Sequence, residues 1–155
     1  MAVFRHIASG KVFAVFNTHF WWQSGPVHDY ARCYNAMELD QAMQKIMALY
    51  DCPVFFMGDL NCNYYSPAWR CLKKAGWVSS FAIAEESSDF ATLHGDPVRG
   101  GDNHYHGVTT DAPRENSIDH IGMAPDTIVL QQQVLTEQDA LDATDHSPVL
   151  VKIDL

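Results

Sequence analysis

Apolar residues fall in short blocks separated by polar, glycine-bearing or proline-bearing stretches, and the periods within those blocks predict strands alternating with helices. Val3 to Ile7 and Val12 to Phe16 are β-rich and flank Ala8-Ser9-Gly10-Lys11, a turn composition that predicts a hairpin. From His28 to Tyr50, residues Ala31, Met37, Leu39, Met43, Ile46, Met47 and Tyr50 recur at helical spacing with Gln41, Gln44 and Lys45 between them. They predict one amphipathic helix that needs a sheet to lie on. Asp51-Cys52-Pro53 ends it, and Val54-Phe55-Phe56-Met57 is a continuous apolar run, the signature of a strand buried on both faces. Ser66-Pro67 has the form of an N-cap with proline at the first helical position, and Gly76 can stop the short helix that carries Trp69, Leu72 and Lys73. This alternation predicts an αβα layering. Between Ala84 and Asn116 the chain turns polar and reads mostly as loop; strands return at Ser117 to Met123, Thr127 to Leu135 and Ser147 to Ile153. With no internal repeat, linker or composition break, residues 1–155 form a single domain.

Composition narrows the function. A chain of 155 residues with 47% hydrophobic content can bury a core. A net charge of -9 with ten Lys and Arg argues against a tight nonspecific grip on nucleic acid, which depends on cationic side chains displacing counterions from phosphates. The same acidity suits a site that recruits a cation, and it equally serves plain solubility. Cys33, Cys52, Cys62 and Cys71 form no CxxC pair and have no zinc-type His spacing, so they read as reduced thiols. Ser9-Gly10-Lys11 interrupts any apolar core of a signal peptide, and no apolar run reaches transmembrane length. The expectation is a cytoplasmic protein.

Four short motifs carry the chemistry: Asn17-Thr18-His19, Gly58-Asp59-Leu60-Asn61, Ile118-Asp119-His120 and Asp145-His146-Ser147-Pro148, each at the edge of an apolar run. Together they supply carboxylates, a carboxamide and imidazoles, the groups that hold a hard divalent cation, activate water and neutralise a phosphoryl oxygen. Asp59 and Asn61, two apart on a turn after a buried strand, can face the same side, the carboxylate orienting water and the amide donating to a phosphate oxygen. An imidazole such as His146 beside a carboxylate such as Asp119 has its tautomer fixed and its cationic form favoured. His120 should point away, because side chains alternate along a strand. Each motif alone also fits a structural reading: an Asx turn at Asp59, a turn opening a strand at Asp145-His146, a satisfied strand-end histidine at His19. Trp21 and Trp22, directly after Phe20, fit core packing or a stacking wall. No acidic residue precedes His19; the first carboxylate in the chain is Asp29.

The ordered set of motifs, joined by Arg32 and Ala36 in the intervening helix, resembles the C-terminal half of the endonuclease/exonuclease/phosphatase superfamily, the group that includes deoxyribonuclease I, apurinic endonucleases, inositol polyphosphate phosphatases and neutral sphingomyelinases. His104-Tyr105-His106-Gly107 resembles an aromatic-His-Gly segment of its bacterial members. The resemblance implies an α/β (α+β) fold, the C-terminal part of a four-layer αββα sandwich with a mixed or mostly antiparallel sheet and helices on one face. It implies a metal-dependent phosphoesterase with its site at the strand ends between the sheets. Asp59, Asn61, Asp119, His146 and His19 would then be catalytic, Asp145, Asp59 and Asn61 would face Mg²⁺ or Mn²⁺, and His106 and Asn17 would contact substrate. The upstream Asn and metal-binding Glu of full members have no counterpart here, so the domain reads as truncated, with a bare sheet face that calls for a second chain to cover it.

Three functions follow as expectations. The first is hydrolysis of a phosphodiester or phosphomonoester by in-line attack of activated water, the acidic charge favouring a small or lipid-like substrate over long nucleic acid. The second is a noncatalytic remnant serving as a binding or assembly module, inactive by itself. The third, a Ser147-His146-Asp nucleophilic site, fits poorly, since neighbouring side chains on a strand diverge.

Overall fold

The computed structural model describes residues 1–93 and 116–155. Strands β1 (Ala2–Arg5) and β2 (Val12–His19) form the expected antiparallel hairpin, closed by His6 N–H to Lys11 O and Gly10 N–H to His6 O, both 2.8 Å. Helix α1 (Pro26–Tyr50) starts with proline in its first turn and Asp29 near its positive end. It stops at Asp51, whose left-handed conformation lets its N–H reach Met47 O. Strand β3 (Val54–Asp59) follows, and α2 (Pro67–Lys74) is capped by Ser66 Oγ accepting from Trp69 N–H at 3.2 Å. The remaining elements are β4 (Val78–Ser79), α3 (Ser80–Ile83), β5 (Glu86–Ser87), β6 (Asp119–Met123), β7 (Ile128–Val134), α4 (Gln138–Ala143) and β8 (Val149–Asp154).

These strands build two sheets, a mixed five-stranded one in the order β1-β2-β3-β6-β4 and a three-stranded one in the order β5-β7-β8. β2 and β3 run parallel through the α1 crossover, while β6 returns antiparallel to β3. Alternation along the strands then sorts side chains into two columns. Ala14, Phe16, Val54 and Phe56 face the helices and pack with Leu39, Met43, Trp69, Leu72 and Trp77. Phe56 fills that layer against Trp69 and Trp77, ring centroids 5.8 and 6.2 Å away, and its ring lies over its cross-strand partner Gly122, where an added Cβ would come within 2.0 Å of it. The other column, Phe13, Phe55, Ile121 and Met123, meets Val129, Val151 and Ile153 of the smaller sheet.

The layering therefore differs from the αβα order expected from the alternation of elements. Helices cover one face of the five-stranded sheet, and the second sheet covers the other, giving α, β, β. This agrees with the sandwich implied by the resemblance, and the smaller sheet already covers part of the face expected to be bare. The apolar face of α1 also differs. Its buried residues are Arg32, Ala36, Leu39 and Met43, whereas Met37 and Tyr50 point outward. Among the described residues no helix is long and apolar enough to cross a membrane.

Candidate active site

The inter-sheet column changes character along its length. In β2 it runs Phe13, Val15, Asn17, His19; in β3 it runs Phe55, Met57, Asp59; in β6, antiparallel to them, it runs from Met123 through Ile121 to Asp119. The register pairs His19 with Asp59 and Asp59 with Asp119, so three ionisable side chains stand in one row across adjacent strands at the polar end of the slot. His120, one residue out of phase, enters the helix-facing core, where it is 2% exposed. Its Nε2 meets Cys62 O at 3.0 Å, and burial pushes its pKa down to about 4, so it stays neutral in neutral solution.

His146 reaches the row from the segment leading into β8. Its Nδ1 lies 2.8 Å from Asp119 Oδ2. Burial works against its cation, but the hydrogen bond and charge of Asp119, reinforced by Asp59 and Asp145, outweigh burial and raise its pKa. Asp59 is raised as well, first by burial and then by the charge of Asp119; Asn61 N–H, donating to Asp59 Oδ1 at 2.6 Å, and the two histidines work in the opposite direction. Asp59, Asp119 and His146 offer ligand atoms that all lie within 4.8 Å of one another. The charge of Asp119 makes ionisation of Asp59 costlier, a penalty that a divalent cation would relieve, and carboxylate oxygens suit a hard one. The donor set fits such an ion.

His19 projects from the row into solvent, with Nε2 3.4 Å from Asp59 Oδ2. Asn61, at φ 49°, sends its Nδ2 to His19 Nε2 and to Phe20 O, each at 3.1 Å. Both amide hydrogens are therefore in use, and donation to a phosphate oxygen as expected from the sequence requires exchange of the His19 contact. Asn17 lines a cleft of ≈ 250 Å³ with Asp119, His146 and Ser147. Asp145 is exposed beside His146 and is not among the three residues whose ligand atoms converge, Asp59, Asp119 and His146. His106 lies outside the described residues. Ser147 lines the same cleft but is 2% exposed. A larger cavity, ≈ 730 Å³, opens at the opposite end of the five-stranded sheet, where β2 and β3 begin, between Val12, Val54, Phe55 and Trp77. Lys11, Asp51, Asp126 and Asp154 also line it, but the Asp59, Asp119 and His146 ligand atoms that converge within 4.8 Å of one another stand at the other end, by the smaller cleft.

Thr92 went unnoticed in the sequence because it sits in a stretch that reads as loop. It is buried, its Oγ1 accepts from Ile118 N–H (3.2 Å) and Asp119 N–H (3.1 Å), and its carbonyl accepts from Ser147 N–H (2.6 Å). One residue thus sets the backbone on both sides of the Asp119–His146 pair. A lone threonine among Gly, Pro and Asp gives no periodic signal for such a role.

No protein-family model and no curated protein matches the sequence. Solved structures do match. A mannosyl-6-phosphatase of Bacteroides thetaiotaomicron superposes with a TM-score of 0.75 at 20% identity, over 99% of this chain and 55% of that one. An endonuclease/exonuclease/phosphatase of Bacteroides vulgatus gives 0.72 at 21% identity, over 99% and 53%. The human nocturnin catalytic domain with bound sulfate gives 0.58 at 14% identity, over 97% and 51%. The fold is that of endonuclease/exonuclease/phosphatase proteins, and the chain spans about half the length of these structures, in keeping with the resemblance to a C-terminal half.

Proposed function

We propose that these residues form part of a metal-dependent phosphoesterase site that hydrolyses a phosphodiester or phosphomonoester by in-line attack of water. The observation that carries the reading is the trio of Asp59, Asp119 and His146, converging within 4.8 Å at the polar end of the inter-sheet slot. Asp119 fixes the His146 ring through Nδ1, which leaves Nε2 to face a phosphoryl oxygen as a donor when the ring is charged. Asp59, with Oδ1 held by Asn61 N–H, presents Oδ2 to orient the attacking water. His19, steadied by Asn61, contacts a second phosphate oxygen. Asn17 and His106 contribute to substrate binding. Asp59 and Asp119, with Asn61 Oδ1 and Asp145 beside them, are the groups that would hold Mg²⁺ or Mn²⁺. Such an ion would supply Lewis-acid polarisation of the phosphoryl oxygens and offset their charge.

The fold neighbours support the reaction class through what their names say of them, a mannosyl-6-phosphatase among them and a domain caught with sulfate, a tetrahedral dianion. The charge of -9 favours a small or lipid-like phosphoester over long nucleic acid. A second chain over the outer face of the smaller sheet, where Ile128 and Leu150 are exposed, belongs to the same reading.

The test is hydrolysis of a chromogenic phosphodiester and phosphomonoester by the purified chain with Mg²⁺, with Mn²⁺ and with chelator. Metal-dependent turnover that disappears in Asp59→Ala and His146→Ala supports the assignment. A folded chain with no turnover under any of these conditions removes self-sufficient catalysis and leaves a binding module.

A further inference from the structure

Directly after His19 the chain runs Phe20-Trp21-Trp22-Gln23-Ser24-Gly25 without regular secondary structure until α1. Irregular segments commonly satisfy their backbone groups with water, but this one is tied to the protein at several points. Phe20 N–H donates to Asp59 O at 2.9 Å, and Phe20 O accepts from Asn61 Nδ2 at 3.1 Å. Trp21 N–H donates to Asn35 Oδ1 at 3.2 Å, and its indole Nε1 donates to His28 Nδ1 at 2.8 Å with the rings within 16° of parallel. Arg32, whose side chain is 6% exposed, reaches back from α1. Its Nη1 donates to Trp21 O at 3.0 Å and to Gln23 O at 2.6 Å, while Nη2 pairs with Asp29 at 2.6 Å.

The two carbonyls that Arg32 grips flank one residue, Trp22, whose own exposure is 66%. A buried guanidinium is expensive to desolvate, and here its hydrogen bonds go to the backbone on either side of an exposed indole. Trp69 and Trp77, by contrast, are buried in the helix-facing core. Two residues, Phe20 and Trp21, separate Trp22 from His19, at most about 11 Å of extended chain, which keeps Trp22 close to the row of ionisable groups.

We propose that Trp22 is a specificity-determining residue: its indole face stacks on a ring in the alcohol portion of the phosphoester, a sugar or a nucleoside, and Arg32 is the positioning residue that presents it. This rests on the phosphoester reading of the adjoining site. Stacking on a ring face requires no cationic side chain, which suits an acidic protein.

Phosphonates, whose C–P bond resists hydrolysis, separate binding from turnover. The chain would be titrated calorimetrically, with Mg²⁺ present, with inorganic phosphate, glycerol 3-phosphonate, glucose 6-phosphonate and adenosine 5′-phosphonate. At least one ring-bearing ligand should bind about tenfold more tightly than the glycerol compound, the factor expected for one stacked ring. That ratio should fall to about one in Trp22→Ala and persist in part in Trp22→Phe, which keeps an aromatic face. Arg32→Lys, which keeps the charge but not the fork, should lower the same ratio. Preference for the glucose compound alone identifies a sugar, and preference for the adenosine compound alone identifies a nucleoside. A ratio unchanged in Trp22→Ala, or already near one in the unmodified chain, overturns the stacking role and leaves the phosphoester reading standing. Failure of every ligand to bind, inorganic phosphate included, overturns both.

Discussion

Gly58 occupies the position one step before the ionisable row, paired with Thr18 across the parallel β2–β3 junction. Its φ is 137°, and an added Cβ would lie 1.9 Å from Thr18 O, a backbone atom that cannot step aside without moving His19. Gly58→Ala should therefore cost more than about 2 kcal/mol in urea unfolding and lower phosphate affinity with it. A midpoint shifted by less than the fitting error would mean that the strands part easily here. Asp59 makes an opposite prediction. Folding raises its pKa, so its ionised form is penalised in the native state, and stability is lost as pH rises from the ordinary carboxylate range through the folded value. Asp59→Asn keeps the acceptor for Asn61 N–H and removes the charge, so in chelator it should be more stable than the unmodified chain at neutral pH and lose that advantage in acid. A variant that is less stable at pH 7 would contradict the burial argument. Asp59 and His146 were legible as candidates because their residue types and order carry information. That Asn61 spends its amide hydrogens on His19 and Phe20 was not, since those partners are over forty positions away.

At the scale of elements, α1 shows what periodicity conveys and where it fails. Its C-terminal end was plain from Asp51-Cys52-Pro53, while its start, read at His28, lies at Pro26. Its buried face was not, because both sides carry apolar residues. Val27, Tyr30, Tyr34 and Met37, spaced three and four apart, form an exposed uncharged ridge opposite Ala36, Leu39 and Met43, with Arg32 among the buried residues. Met37 and Leu39 lie about 200° apart on a helix and cannot share a face. Leu39→Ala should cost about 2–4 kcal/mol and Met37→Ala within about 0.5 kcal/mol, read from denaturant midpoints. Equal losses would place Met37 in a packed contact. The strands were legible for a simpler reason: Val54 to Met57 is apolar without a break, and Gly10 closes the hairpin. β5 was not, since two residues supply no period and their partners Gln131 and Gln132 are remote in sequence.

Across the whole molecule, chemistry and cavity size separate. The larger cavity and the smaller cleft occupy opposite ends of the five-stranded sheet, and the converging donor atoms lie at the end of the smaller one. Mg²⁺ at a hundred times its dissociation constant should add about 2.7 kcal/mol to the unfolding free energy of the chain. The increment should vanish in Asp119→Asn. A thermal shift that survives in that variant would locate the cation elsewhere. The order of the motifs pointed to this end of the molecule, but the second sheet as the other wall could not be read from strands whose partners are set by long connections.

Thr92 links the two sheets at the site, receiving Asp119 N–H from one and Ser147 N–H from the segment that enters the other. The Asp119–His146 distance is in that sense a gauge of how far one sheet has slid over its neighbour. Side chains that resist sliding, Met123 against Val129, are buried between the sheets well away from any ionisable group of the row. Shaving either to alanine should leave every polar residue in place and still slacken the gauge, so that the pair loosens with no residue of the site altered.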